Sequence, residues 1–176
     1  MSSLEQPVTV PMSQPLPGAS FSQAVSRFWK KYATFSGRAS RSEYWWWYLV
    51  AFLVNAFLNS LGRVDGPAGQ VFQAVAGVWS LAIIIPTLAL LWRRLHDTNR
   101  SGLWAFAPLV LAVIGVVLAV VGLVVLHVST GQSASLAAGG VALVLAGAAF
   151  LASFVIVLIL TLLPSNPAGA RFDRGR

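Results

Sequence analysis

The chain contains no cysteine, which excludes a disulfide framework and thiol chemistry and leaves the redox compartment open. It has little charge: 10% of its 176 residues are Asp, Glu, Lys or Arg, where a soluble domain carries about 25%. Acidic residues are scarcer still, five against twelve basic ones. With 57% hydrophobic residues and a mean hydropathy of +0.74, a water-soluble fold of this size could not hide its apolar surface. Most of the chain must therefore have lipid as its solvent. A net charge of +7 would suggest nucleic acid in a soluble protein. Here the cations cluster beside apolar runs, which points to anionic head groups and a fixed topology, with no nucleic-acid partner. Also missing are a nucleophile elbow, metal-ligand spacing and a glycine-rich phosphate loop. No catalytic residue, metal or cofactor is assigned.

What the chain does have is four long apolar runs. They predict membrane spans at about 44–61, 71–92, 103–128 and 138–163. The shortest, Tyr44 to Leu61, reaches roughly 27 Å as a helix, just enough for a hydrocarbon core. Trp45, Trp46, Trp47, Tyr44 and Tyr48 supply an aromatic belt at its start. Asn55 and Asn59, one turn apart, are expected to bond a neighbouring helix; lining a polar path is the other reading. Pro86 should kink the second span. Small residues form stripes in the last two: Ala112, Gly115, Ala119 and Gly122, then Ala138, Ala142, Ala146, Ala149 and Ser153. Such faces permit close approach in lipid. His127 reads as an interfacial residue.

Residues 1–19 read as a disordered proline-rich tail; a short proline-rich ligand is the other reading. Residues 20–34 predict a helix opened by a Ser20/Gln23 capping box. Phe21, Ala24, Val25, Phe28, Trp29 and Tyr32 line one side, and Arg27, Lys30 and Lys31 the other. That pattern suits an amphipathic helix lying in the head-group region, or one packed on the inner ends of a bundle. Ser40 and Glu43 form a second capping box. Residues 164–176 read as a short basic tail. Arg41-Ser42 with Trp45, and Arg100-Ser101 with Trp104, open the first and third spans alike, a faint mark of duplication.

Basic residues set the orientation. Eleven Lys and Arg flank the spans on the side of the termini and the central loop, and only Arg63 lies on the other. The positive-inside rule puts both termini and the loop near His96 in the cytoplasm.

Three stretches, FSGRASRSEYWWW at 35–47, LWRRLHDTNRSGLW at 91–104 and LLPSNPAGARFD at 162–173, resemble the domain of unknown function 805 family of YhaH-type bacterial inner-membrane proteins. The resemblance runs from about Phe21 to Asp173. It implies a small multi-pass protein of the bacterial inner membrane, and it implies no activity.

The expected fold is all-α: an integral membrane bundle of four transmembrane helices preceded by an amphipathic interfacial helix. The candidate site is a cytoplasmic patch of Arg38, Arg41, Glu43, Arg93, Arg94, His96, Asp97 and Arg100. Four readings of it are open. The patch ties the spans together through ion pairs. It binds anionic lipid head groups or a membrane protein partner through planar guanidinium groups. It serves a small-solute transporter or channel component, against which stands the lack of deep charged residues. Or His96 and Asp97 act as acid and base, although neighbours on a helix point about 100° apart. The expected role is non-enzymatic, with the lipid bilayer as first partner.

Overall fold

The computed structural model describes residues 10–128 and 133–173. All regular structure among them is helical: α1 Phe21–Lys30, α2 Arg41–Leu61, α3 Pro67–Asp97, α4 Phe106–Val128 and α5 Ser133–Leu162. Short 3-10 helices cover Gly102–Ala105 and Pro167–Phe172. The chain forms two compact units. The first runs to Gly102 and includes the segment from Pro164 onward; the second is Leu103–Leu163.

In the first unit, α1 begins at the Ser20 capping box, with the Ser20 side chain and Gln23 bonding reciprocally. The helix packs on α2 and buries Ala24, Arg27 and Phe28. Phe28 stacks on Trp47 with centroids 3.3 Å apart. Arg27 and Lys31 were expected on a polar outer face, yet they are only 7% and 4% exposed. The reason for Arg27 is a partner: Glu43, at the third position of α2, accepts its guanidinium at 3.1 Å. Phe21, Trp29 and Tyr32, from the apolar stripe, stay on the surface.

Three helices are long and apolar enough to cross a membrane: Pro67–Asp97, Gly102–Val128 and Ser135–Leu162. At 21 residues α2 has the length. Its aromatic belt and two asparagines dilute its hydropathy. Asn55 and Asn59 do not bond a neighbouring helix: each donates to the carbonyl four residues back in α2, Ala51 and Asn55, at 2.8 Å. In an apolar setting a side-chain amide satisfies itself on its own backbone when no partner lies opposite. α3 starts with Pro67 in the first turn, runs through the buried Pro86, and extends five residues beyond the expected span end at 92. It stops at Thr98 and Asn99. Asn99 takes the left-handed conformation at φ 59°, and Arg100 N–H returns to Leu95 O at 3.0 Å.

Both expected tails depart from expectation. Residues 10–19 are held to α1 and α2: Arg38 N–H donates to Ser13 O at 2.9 Å, and Leu16 N–H to Glu43 Oε2 at 3.1 Å. Arg27 Nη2 donates to Val10 O at 2.9 Å. Prolines remove donors, but the carbonyls they leave are good acceptors for buried guanidinium groups. Residues 1–9 lie outside the described residues. The C-terminal segment is equally engaged, as set out below.

The second unit is the α4/α5 hairpin. Gly115 lies against Phe150, and Gly122 against Gly139 and Leu143. Ser153 Oγ donates to Pro108 O at 2.8 Å, occupying a carbonyl in the first turns of α4. Val113, Val117, Val120, Leu145 and Leu151 point outward. A helix pair apolar all round is built for hydrocarbon.

Candidate functional site

The polar patch assembles in the first unit, where the second half of α1, the start of α2, the end of α3 and the C-terminal segment converge. Two carboxylates organise it. Glu43 closes the α2 capping box, accepting from Ser40 N–H at 2.8 Å through Oε2 while Ser40 Oγ accepts from Glu43 N–H. The same Oε2 takes Leu16 N–H, and Oε1 takes Arg27. Asp97, the last residue of α3, is wholly buried. Its Oδ2 accepts from Arg94, itself fully buried and one turn earlier, and from Ser165 Oγ at 2.5 Å. Its Oδ1 lies 3.7 Å from Arg38 Nη1. Its main-chain carbonyl accepts Asn166 N–H at 2.8 Å.

Arg38 reaches further. Nε and Nη2 donate to the two oxygens of Asp173 at 2.8 and 2.6 Å, a bidentate pair across 135 positions of chain. That bond to Asp173 pushes the guanidinium pKa above its ordinary value. His96 Nδ1 lies 3.1 Å from Gly37 O. A carbonyl can only accept, so Nδ1 carries the hydrogen. The ring stacks on Phe172, with centroids 4.0 Å apart and planes within 4°. Arg171 lies over the other partner of this stack, 4.6 Å from the Phe172 centroid. Gly37, at φ 82°, donates to Phe172 O at 3.0 Å. Ala39 N–H donates to Arg93 O at 3.1 Å.

The eight expected residues thus fall into two layers. Arg93, Arg94, His96, Asp97 and Glu43 are buried, and Arg38 is mostly so. Arg41 and Arg100 are on the surface. Beside Arg41 is an open cleft of about 460 Å³, lined by Pro17, Gly18, Ser40, Arg41, Ser42, Pro164 and Ser165. His96 and Asp97 do not face one another: the imidazole goes to Gly37 and Phe172, the carboxylate to Arg94 and Ser165. No acid–base dyad forms between them.

Sequence reasoning missed Arg27, Lys31, Ser165, Phe172 and Asp173 as members of this cluster. Arg27 and Lys31 carried a signal, since they stand one turn apart on either side of Phe28, which is buried. Asp173 carried one too, as the single acid in a basic tail. Ser165 and Phe172 gave none.

The chain matches the family model described as protein of unknown function (DUF805) over residues 32–174. Among curated proteins it is similar to the inner membrane protein YhaI of Escherichia coli K12, 42% identical over 84 residues. That match covers 46% of this chain and 69% of the relative. The inner membrane protein YhaH of the same strain is 34% identical over 87 residues, covering 46% of this chain and 68% of the relative. No solved structure matches the chain significantly. The family match takes in the whole cap from Gly37 to Asp173 except Arg27, Lys31 and the segment before α1. With apolar helices of spanning length and relatives named for the inner membrane, this is a membrane protein, and it belongs to the DUF805 family.

Proposed function

We propose that the chain is a non-enzymatic protein of the bacterial inner membrane with four spans, both termini and the loop after α3 in the cytoplasm, and a cytoplasmic cap that binds anionic phospholipid head groups. On this reading α2 is the fourth span, marginal in hydropathy because its aromatic belt sits in the head-group zone, and α1 lies at that interface on the flank of α2. The charge asymmetry of the flanking segments supports the orientation.

The observation that carries the binding role is the sorting of cations into two layers. The inner arginines, Arg27, Arg38 and Arg94, are spent on Glu43, Asp97 and Asp173. An outer set, Lys30, Arg41, Arg100 and Arg171, stays exposed on the rigid frame they build. A set of juxtamembrane cations gains roughly 1 kcal/mol per residue on an anionic surface. Arg41 and Arg100 of the sequence-derived patch are then the contact residues, and Arg38, Glu43, Arg94, His96 and Asp97 its frame.

The test is lipid retention by the full chain through detergent purification, read by native mass spectrometry as phosphatidylglycerol over phosphatidylcholine. Replacing Lys30, Arg41, Arg100 and Arg171 together by Gln is expected to lower that ratio several-fold, with wild-type retention falling as salt rises. An unchanged ratio would overturn the lipid reading. Retention of an acidic protein by the wild type alone, without lipid selectivity, would transfer the same surface to a protein partner.

A further inference from the structure

Two further cations of the first unit, Lys31 and Arg93, stand outside the ion pairs seen among the described residues. Lys31 is 4% exposed and Arg93 is 1% exposed. Lys31 Nζ and Arg93 Nη2 are both buried without a hydrogen-bond partner among the described residues. Arg93 spends Nε on the carbonyl of Ala89, one turn back in its own helix, and no carboxylate lies in ion-pair contact with it among the described residues. Burying a guanidinium and an ammonium is costly, and the carboxylate of Glu43 favours both only through its charge, without a hydrogen bond to Lys31 Nζ or Arg93 Nη2.

The local carboxylates make no hydrogen bond to Lys31 Nζ or Arg93 Nη2. Glu43 already takes Arg27, Ser40 N–H and Leu16 N–H, which uses three of its roughly four acceptor directions. Asp97 is held by Arg94 and Ser165 through Oδ2, with Oδ1 facing Arg38 at 3.7 Å, and Asp173 is held by Arg38. The two cations repel one another: burial first, and Arg93 second, push the Lys31 ammonium down to about 8. Lys31 therefore keeps its proton at neutral pH and still lacks an acceptor. It caps the C-terminus of α1, and residues 32 to 36 after it are all exposed.

From this juxtaposition we infer that Lys31 and Arg93 form a specific anion site, separate from the exposed basic surface, for a tetrahedral oxyanion: a phosphate group, either free or as the phosphodiester of a lipid head group. The guanidinium edge offers directional donors to phosphate oxygens and the ammonium a compact charge. An anion seated there completes the acceptors both side chains lack.

The experiment measures the melting temperature of the full chain in neutral detergent at pH 7 and fixed ionic strength. Inorganic phosphate and short-chain dihexanoyl-phosphatidylglycerol are titrated separately against chloride. Wild type is expected to gain a few degrees, saturably, with one or both. Phosphate alone identifies a free anion, the lipid alone a head group, and both identify the shared chemistry. Lys31→Glu gives Arg93 an internal partner and is expected to melt higher than wild type without added anion, and to lose the response. Lys31→Met is expected to lose the response as well. No saturable gain over chloride with either anion in the wild type would overturn the site, whether or not the variants fold. So would a response that survives in both folded variants. The four-residue surface variant of the preceding section is expected to keep the wild-type response, so this site and the surface reading fail independently.

Discussion

Asp97 shows how a single residue can hold several elements. Its carboxylate accepts from Arg94 and Ser165 and lies beside Arg38, and none of it is exposed. Removing it strands a fully buried arginine, a change that costs about 3–5 kcal/mol in comparable pairs. Asp97→Ala is expected to destabilise the first unit by that amount in denaturant melts in micelles. Asp97→Asn, which keeps an acceptor, should cost less. The acidity of position 97 and its neighbour Arg94 were legible in the sequence, because a lone acid one turn from an arginine at a helix end reads as a pair. Its bond to Ser165 was not, since that contact spans 68 positions and depends on where the last helix returns the chain.

At the scale of the element, the C-terminal segment is the clearest departure from what composition suggests. A short basic tail with two prolines and two glycines reads as loose. Instead the Pro167–Phe172 helix is seated against the end of α3. Gly169 is buried, and a Cβ there would collide with the carbonyl oxygen of His96. Gly169→Ala is therefore expected to lift the segment from its seat. It should lose the Phe172 stack on His96 and expose the chain after Pro164 to protease several-fold faster, read by limited proteolysis with the rest of the chain intact. Cleavage at the wild-type rate would show that the close approach is not what holds the segment. The helices themselves were legible, since their caps at Ser20 and Ser40 and their apolar runs are local signals. The asparagines of α2 were misread because their partner is chosen by what lies opposite, and here nothing polar does.

For the whole molecule the decisive quantity is orientation. On the proposed four-span reading the termini, and the loop after α3, lie on one side and Arg63 on the other. Reporter fusions at residue 176 and in the 98–102 loop are expected to report the cytoplasm, and a fusion in the 63–66 turn the opposite face. A cytoplasmic signal from the 63–66 turn would remove α2 as a span and leave three crossings. The small-residue face of α4 meets α5 as the sequence suggests, Gly115 on Phe150 and Gly122 on Gly139 and Leu143; of the expected α5 stripe Ala146 is buried and Ser153 bonds Pro108 O, while Ala138 is exposed and its neighbour Gly139 faces α4 instead. The α4 face was legible because its small residues recur at helical spacing; α5 is rich in small residues all round, so spacing alone does not choose its face.

Solvent, helices and their caps were fixed by the amino-acid sequence, because hydropathy and first-turn hydrogen bonds act over a few residues. The eight-residue patch was also there to be read, as charge beside hydrocarbon. What the tertiary structure alone decided is which of those charges face inward. Burial depends on the return of Asp173 to Arg38 and of Glu43 to Arg27. Both pairings are set by how helices stack, and in a low-dielectric interior they turn similar cations into opposite roles, one arginine neutralised and another left waiting for an anion.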